Sequence, residues 1–349
     1  MNDLTKKKKY YEVLRIVAIF SVMFSHTPGF NAVGQANGIS FALQMIFAIM
    51  TRVSVPTFFM VSGALLLGRS EPVSKTLKRA VRFALCLLLF SLLSYLRKIN
   101  FKLSDFWLQY FITEVYSGMM SETYWFLYSY ISFVLMLPFI RRLAQNMTNL
   151  EFKYMVAFVL AIGLIKILQF VLSGGTLSYS AGFVFFILET IVFYPLLGYY
   201  IEHKTSDEYF KRKSVAVLLL SSLCAYAITC LSTRYCISCI FNGVECSWSS
   251  LIDSLRIVIA FSVFYFAKYL ISGDCSGKFG KSIAIIASCV FGAYLIEPVI
   301  SPSFKPLYDF LQPHVGTFFA SKIWCLINIV SGCFITFLLK RIPGIKKLL

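Results

Sequence analysis

Ten runs of mostly apolar residues recur along this chain, each about as long as the 20 residues a helix needs to cross a bilayer. They lie near 10–30, 39–67, 80–98, 122–140, 152–172, 181–201, 214–232, 250–271, 282–301 and 317–339. Helices that are apolar all round belong in a protein interior or a membrane. Composition decides between the two. Only 14% of the residues are charged and 58% are hydrophobic, where a soluble domain carries about 25% charged residues. That leaves too little polar surface to coat a soluble globule of 349 residues. A cytosolic enzyme, a disordered chain and a nucleic-acid module are excluded. The expectation is an all-α membrane protein, a polytopic bundle of about ten transmembrane helices forming one integral domain over 1–349.

The formal net charge is +17. In a soluble chain that excess would point to nucleic acid. Here its distribution points elsewhere. Of the 33 lysines and arginines, 22 fall in alternate loops that include the Lys6–Lys9 run and the tail, and 6 fall in the other loops. Cationic loops stay in the cytoplasm, so both termini are expected there. The same Lys6–Lys9 run ahead of an apolar stretch has the outline of a signal peptide. Arg15 and His26 interrupt the stretch and no small-residue cleavage site follows, so the first run reads as a membrane span.

Most of the ten cysteines lie in apolar runs, where Cys behaves as a small hydrophobe. Cys236, Cys239 and Cys246 share one expected outer loop, where a structural disulfide would be permitted. No second Cys or His pair stands at zinc-site spacing, and no metal is called for.

Ionisable groups inside a bilayer cost about 2.5–3.5 kcal/mol on insertion scales and usually face a cavity. Arg15 and His26 are separated by three helical turns, so a continuous helix presents both on one face, about 16 Å apart along its axis. A snorkelling anchor is the plain alternative for Arg15, and a hydrogen-bonded structural histidine for His26. Lys75, Arg79 and Arg82 share one face at the start of the third run, in KTLKRAVR. Cations at a helix N-terminus suit a polyphosphate; from composition alone, ordinary cytoplasmic positive charge is the plainer reading. Arg52 and Ser62 flank Pro56 in the second run, where the missing helix donor can open a polar groove. Glu297 sits at a depth similar to His26, and Glu189 is another acid in the outer half. Trp125 begins the fourth run, where an interfacial aromatic belt is the plain reading.

Together these motifs resemble the acyltransferase 3 family of integral membrane O-acyltransferases. They are R-x10-H in the first run, SVPTFFMVSG in the second, R-x-x-R opening the third, YWFL then LPFI in the fourth, and FGAYLIEP near the end. Each is weak alone; in this order they cover essentially the whole chain. The nearest likeness is to the stand-alone branch that modifies surface polysaccharides of bacteria. The resemblance implies transfer of an acyl group, acetyl before succinyl, from acyl-CoA to a hydroxyl of a glycan or lipid-linked glycan at the cytoplasmic membrane. It implies acyl-CoA as co-substrate with no bound cofactor, and membrane lipids rather than nucleic acid as surroundings. The family's paired Arg and His map onto Arg15 and His26, and its R-x-x-R onto Arg79 and Arg82. Beside these, the residues' own chemistry suggests Lys75 with Arg79 and Arg82 for the CoA phosphates, and Arg52, Ser62, Trp125 and Glu297 for the acceptor or oxyanion pocket. Many relatives carry His where this chain has Glu297. A transporter or flippase of a lipid-linked or exported polysaccharide would share the apolar architecture, but it has no need of R-x10-H or the cation cluster.

Overall fold

The structure is a computed structural model, and it describes residues 8–27, 38–118, 120–172, 190–205, 216, 218–223, 227, 248–271 and 273–349. Among these the chain is helical, and the backbone pairing outside helices is one isolated antiparallel bridge between Lys8 and Asp274. The helices are α1 Lys9–Ser25, α2 Gly38–Leu66, α3 Val73–Lys98, α4 Leu108–Thr113, α5 Trp125–Asn146, α6 Asn149–Leu172, α7 Thr190–His203, α8 Trp248–Leu270, α9 Lys278–Ile300, α10 Lys305–Leu339 and α11 Pro343–Leu348. Three stretches among the described residues are long and apolar enough to cross a membrane: Val73–Lys98, Glu122–Asn146 and Lys278–Leu339, the last holding both α9 and α10. Most of the seventh apolar run, together with Glu189, Cys236, Cys239 and Cys246, lies outside the described residues.

The helices gather into two units. One comprises Met1–Phe30, Ser70–Pro138 and Asp274–Leu349; the other comprises Asn31–Arg69 and Phe139–Gly273. The division falls within α5, at Pro138.

In the first unit, α9 packs on α1, α3 and α10. Small residues set the spacing. A Cβ on Gly292 would stand 2.3 Å from the Thr336 side chain, and one on Gly332 would stand 3.0 Å from Ala293. Close backbone approach through small residues is how helices pack in lipid, where no hydrophobic drive brings them together. Helix α10 is broken at Gly316, whose φ of 78° and ψ of 158° leave the helical region. Only glycine adopts that φ cheaply. The apolar run expected from 317 begins one residue after the break, and Lys305–Val315 forms a separate helical arm.

In the second unit, α2 and α7 approach more closely still. A Cβ on Gly63 would lie 2.0 Å from the Pro195 carbonyl oxygen, and one on Gly198 would lie 2.0 Å from that of Met60. The C-terminal end of α2 exposes carbonyls with no helical donor. Arg141 Nε donates to Leu66 O at 2.9 Å, Gln145 Nε2 to Leu67 O at 2.8 Å and His203 Nε2 to Ala64 O at 3.0 Å. Arg141, expected in a loop, is therefore a buried cap in the last turns of α5.

Candidate active site

His26 follows the last residue of α1. Its N–H reaches back three residues to Met23 O at 3.2 Å, and that of Thr27 reaches Phe24 O at the same distance. The hydroxyls of Ser25 and Thr27 satisfy Val22 O and Phe24 O at 2.6 and 2.8 Å. The sequence reading continued this helix through His26 to residue 30. It stops earlier because Thr27 precedes Pro28, and a residue before proline avoids the helical region. The histidine is thus the helix cap, with φ −88° and ψ 0°.

The imidazole meets Glu297. His26 Nδ1 and Glu297 Oε2 are 2.9 Å apart, with side-chain exposures of 16% and 2%. A carboxylate only accepts, so Nδ1 donates this hydrogen bond, and in a neutral imidazole Nε2 then carries the lone pair. An imidazole oriented by a carboxylate in this way is an arrangement that can serve as a general base.

Glu297 is held by the end of α9. Pro298 follows it and removes the donor that would serve the Tyr294 carbonyl one turn back. Two tyrosines secure this region. The hydroxyl of Tyr124, in the one-turn helix before α5, donates to Leu295 O at 2.8 Å and lies 3.3 Å from Phe90 O. The hydroxyl of Tyr294 donates to Thr123 O. Neither tyrosine is singled out from the sequence, where Trp125 in YWFL and Glu297 in FGAYLIEP are the residues noted. The signal available was the presence of hydroxyl-bearing rings in two motifs of one resemblance.

Arg15 pairs with Glu12, one turn earlier, at 3.2 Å. Glu12 is 3% exposed, and sequence reasoning passed it over. An acid in an apolar run, three residues before a cation, was the signal for it.

The cation cluster at the start of α3 has an acid within it. Glu71 binds Lys75 Nζ at 3.0 Å and an Arg79 guanidinium nitrogen at 3.2 Å. Arg82 Nε donates to Leu348 O at 2.8 Å, tying α3 to α11. The three cations do share one end of one helix, each already engaged by the protein.

Arg52 and Ser62 belong to α2, in the second unit. Pro56 lies between them, and nearby hydroxyls turn onto the helix backbone: Ser54 onto Thr51 O and Thr57 onto Val53 O. Ser62 is buried at 6% exposure. Trp125 opens α5 and is 42% exposed. Lys322, counted with the loop cations from sequence, lies inside α10. Its ammonium stands 3.9 Å from the centre of the Phe24 ring and 3.8 Å from that of Phe318. Both contacts are of the cation–π type. Among the described residues no group of three His, Cys, Asp or Glu is placed to hold a metal.

Two groups outside the spans have shifted acidities. Hydrogen bonds from the Ser276 side chain and backbone hold Asp274 below the usual carboxylate range. Bonds from Thr148 do the same for Glu151.

No curated protein and no solved structure matches the chain. A family model described as an acyltransferase domain matches residues 8–339, from the residue before α1 to the last residue of α10. That span contains His26, Glu297 and every other candidate site residue, and with it the chain belongs to the acyltransferase 3 family of membrane acyltransferases.

Proposed function

We propose that this protein transfers an acyl group, acetyl in the first instance, from acyl-CoA to a hydroxyl of an exported or cell-surface glycan. The observation that supports this reading most is the 2.9 Å His26–Glu297 pair, which leaves Nε2 free to act as a base. The sugar oxygen bonds to the thioester carbonyl carbon while its proton passes to Nε2. The tetrahedral intermediate then breaks its C–S bond. The imidazolium returns the proton to the departing thiolate, and free CoA and the O-acyl ester are the products.

Lys75, Arg79 and Arg82 take the CoA phosphates from the cytoplasm, as guanidinium and ammonium groups at a helix N-terminus favour. Arg15 lies on the same helix as His26, toward the opposite end. Trp125 belongs with the acceptor, because sugar rings pack on aromatic faces. From the sequence, Arg52 and Ser62 are the candidates for the oxyanion. The setting is a bacterial cytoplasmic membrane with both termini inside, in keeping with the loop cations.

The test is to replace His26 with Ala and weigh the surface glycans by mass spectrometry. Loss of an acetyl or succinyl mass per sugar, with the variant at normal abundance, is the expected result. Normal acylation at normal abundance overturns the catalytic role. Purified protein in detergent should release CoA only when glycan is supplied; glycan transport without any need for CoA would favour a transporter.

A further inference from the structure

Two motifs found in the sequence, YWFL and FGAYLIEP, are joined by hydrogen bonds that run in both directions. Tyr124, from the first, donates to the backbone of Leu295 in the second. Tyr294, from the second, donates to the backbone of Thr123, which precedes the first. Their rings meet edge to face, with centroids 6.4 Å apart. Both side chains are fully buried. Tyr294 and Glu297 are three residues apart on α9 and share a face. Leu295, which accepts from Tyr124, is two residues from Glu297.

The backbone here is a place where a helix needs help. Pro298 deprives the Tyr294 carbonyl of its donor and presses on that turn, the usual origin of a bend. Glu297 lies within this turn, so any shift of the backbone over 294–298 moves its carboxylate. Tyr124 holds the adjacent carbonyl, Leu295 O, from outside the helix.

We infer that Tyr124 and Tyr294 form a reciprocal latch whose task in the reaction is to aim Glu297 at His26. They are positioning residues, acting through Glu297 and touching neither substrate. The inference rests on the reading of His26 and Glu297 as a catalytic pair. It adds a role for the YWFL motif that the reaction itself does not supply. Among the described residues, Tyr124, Tyr294 and, on α10, Cys325 interact electrostatically with Glu297.

A double-mutant cycle tests it. Acyl transfer is measured with purified full-length protein, acetyl-CoA and de-O-acylated extracellular glycan from a strain lacking the gene. Tyr124→Phe should lower kcat about tenfold, the rate equivalent of one hydrogen bond, while KM for acetyl-CoA stays within about twofold. In a Glu297→Gln background the same substitution should change kcat by less than about twofold, because the residue it positions is already disabled. An equal fold-loss in both backgrounds means the tyrosine only supports the fold, and overturns the proposal. Should Tyr124→Phe fail to accumulate, Tyr294→Phe leaves the Tyr124 bond intact and carries the same cycle. If His26→Ala and Glu297→Gln are both fully active, the catalytic reading fails. If those two are impaired while neither Tyr→Phe variant lowers kcat, the latch alone fails.

Discussion

Glu297 Oε2 lies 2.9 Å from His26 Nδ1 across 271 residues of sequence. The carboxylate is 2% exposed and the imidazole 16%, so the acid is enclosed by protein and the histidine is the more accessible partner. The proposed reaction asks this of a base and the acid that orients it. Glu297→Gln keeps an acceptor of nearly the same shape and removes its charge. Charge-assisted hydrogen bonds are roughly twice as strong as neutral ones. The expected result is a fall in kcat of about 10-fold, against about 100-fold or more for His26→Ala, the lower end of what a general base contributes. KM for acetyl-CoA should hardly move in either. Steady-state rates of CoA release check both values.

At the start of α3, Glu71 occupies two of the cations proposed for the CoA phosphates, at 3.0 Å from Lys75 and 3.2 Å from Arg79. A phosphate that binds there must displace this carboxylate. Glu71→Gln removes the competitor. Lys75 is 59% exposed, so its share is small, and partly exposed pairs are worth about 0.2–1 kcal/mol. KM for acetyl-CoA should therefore fall by about two- to fivefold with kcat unchanged, while Arg79→Gln should raise it. A rise in KM for Glu71→Gln would show that the acid arranges the cluster for phosphate rather than competing with it.

The helical architecture was legible because span length is a direct consequence of bilayer thickness, and α3, α5, α9 and α10 each cover an apolar run. Helix ends were less legible. The first run appeared to continue past His26, yet α1 closes at Ser25, where the local effect of Pro28 outweighs apolar composition. His26 could be singled out as an ionisable group in an apolar stretch. That its ring would meet Glu297 follows from α1 packing on α9, which no local pattern encodes. Lys322 shows the converse. A lysine near the edge of an apolar run reads as a loop cation, whereas inside α10 its ammonium lies over the rings of Phe24 and Phe318. Tyr124 and Glu12 were overlooked because hydropathy treats a tyrosine as another aromatic, and because an acid beside a cation reads as a surface pair.

Gly63 and Gly198 interlock α2 and α7 through contacts that reach backbone on the facing helix, each 2.0 Å from a carbonyl oxygen if a Cβ were present. No side-chain rotation relieves such a clash; the helices must separate. Overpacking a well-packed interface costs about 1–3 kcal/mol. Gly63→Ala and Gly198→Ala should each lower the melting temperature in detergent and the amount recovered from membranes. Gly344→Ala, where nothing lies within 4 Å, should do neither. Thermal unfolding followed by tryptophan fluorescence is the check.

The start of α6 carries a capping box. Glu151 Oε2 accepts from the Thr148 N–H at 2.6 Å and from its hydroxyl at 2.8 Å, while the Glu151 N–H donates back to Thr148 Oγ1 at 3.2 Å. Reciprocal bonds of this kind satisfy donors that a helix N-terminus leaves open. The bonds from Thr148 hold the Glu151 carboxyl below its ordinary range. A carboxylate whose pKa is depressed in the folded protein stabilises it fully above the unfolded value, about 4.3 for Glu, and loses that contribution as pH falls through the lower folded value. Glu151→Gln should therefore melt below the wild type at neutral pH, and the gap should close as pH drops below the carboxylate range. A gap that stays constant with pH would mean that the charge of Glu151 contributes nothing to the cap.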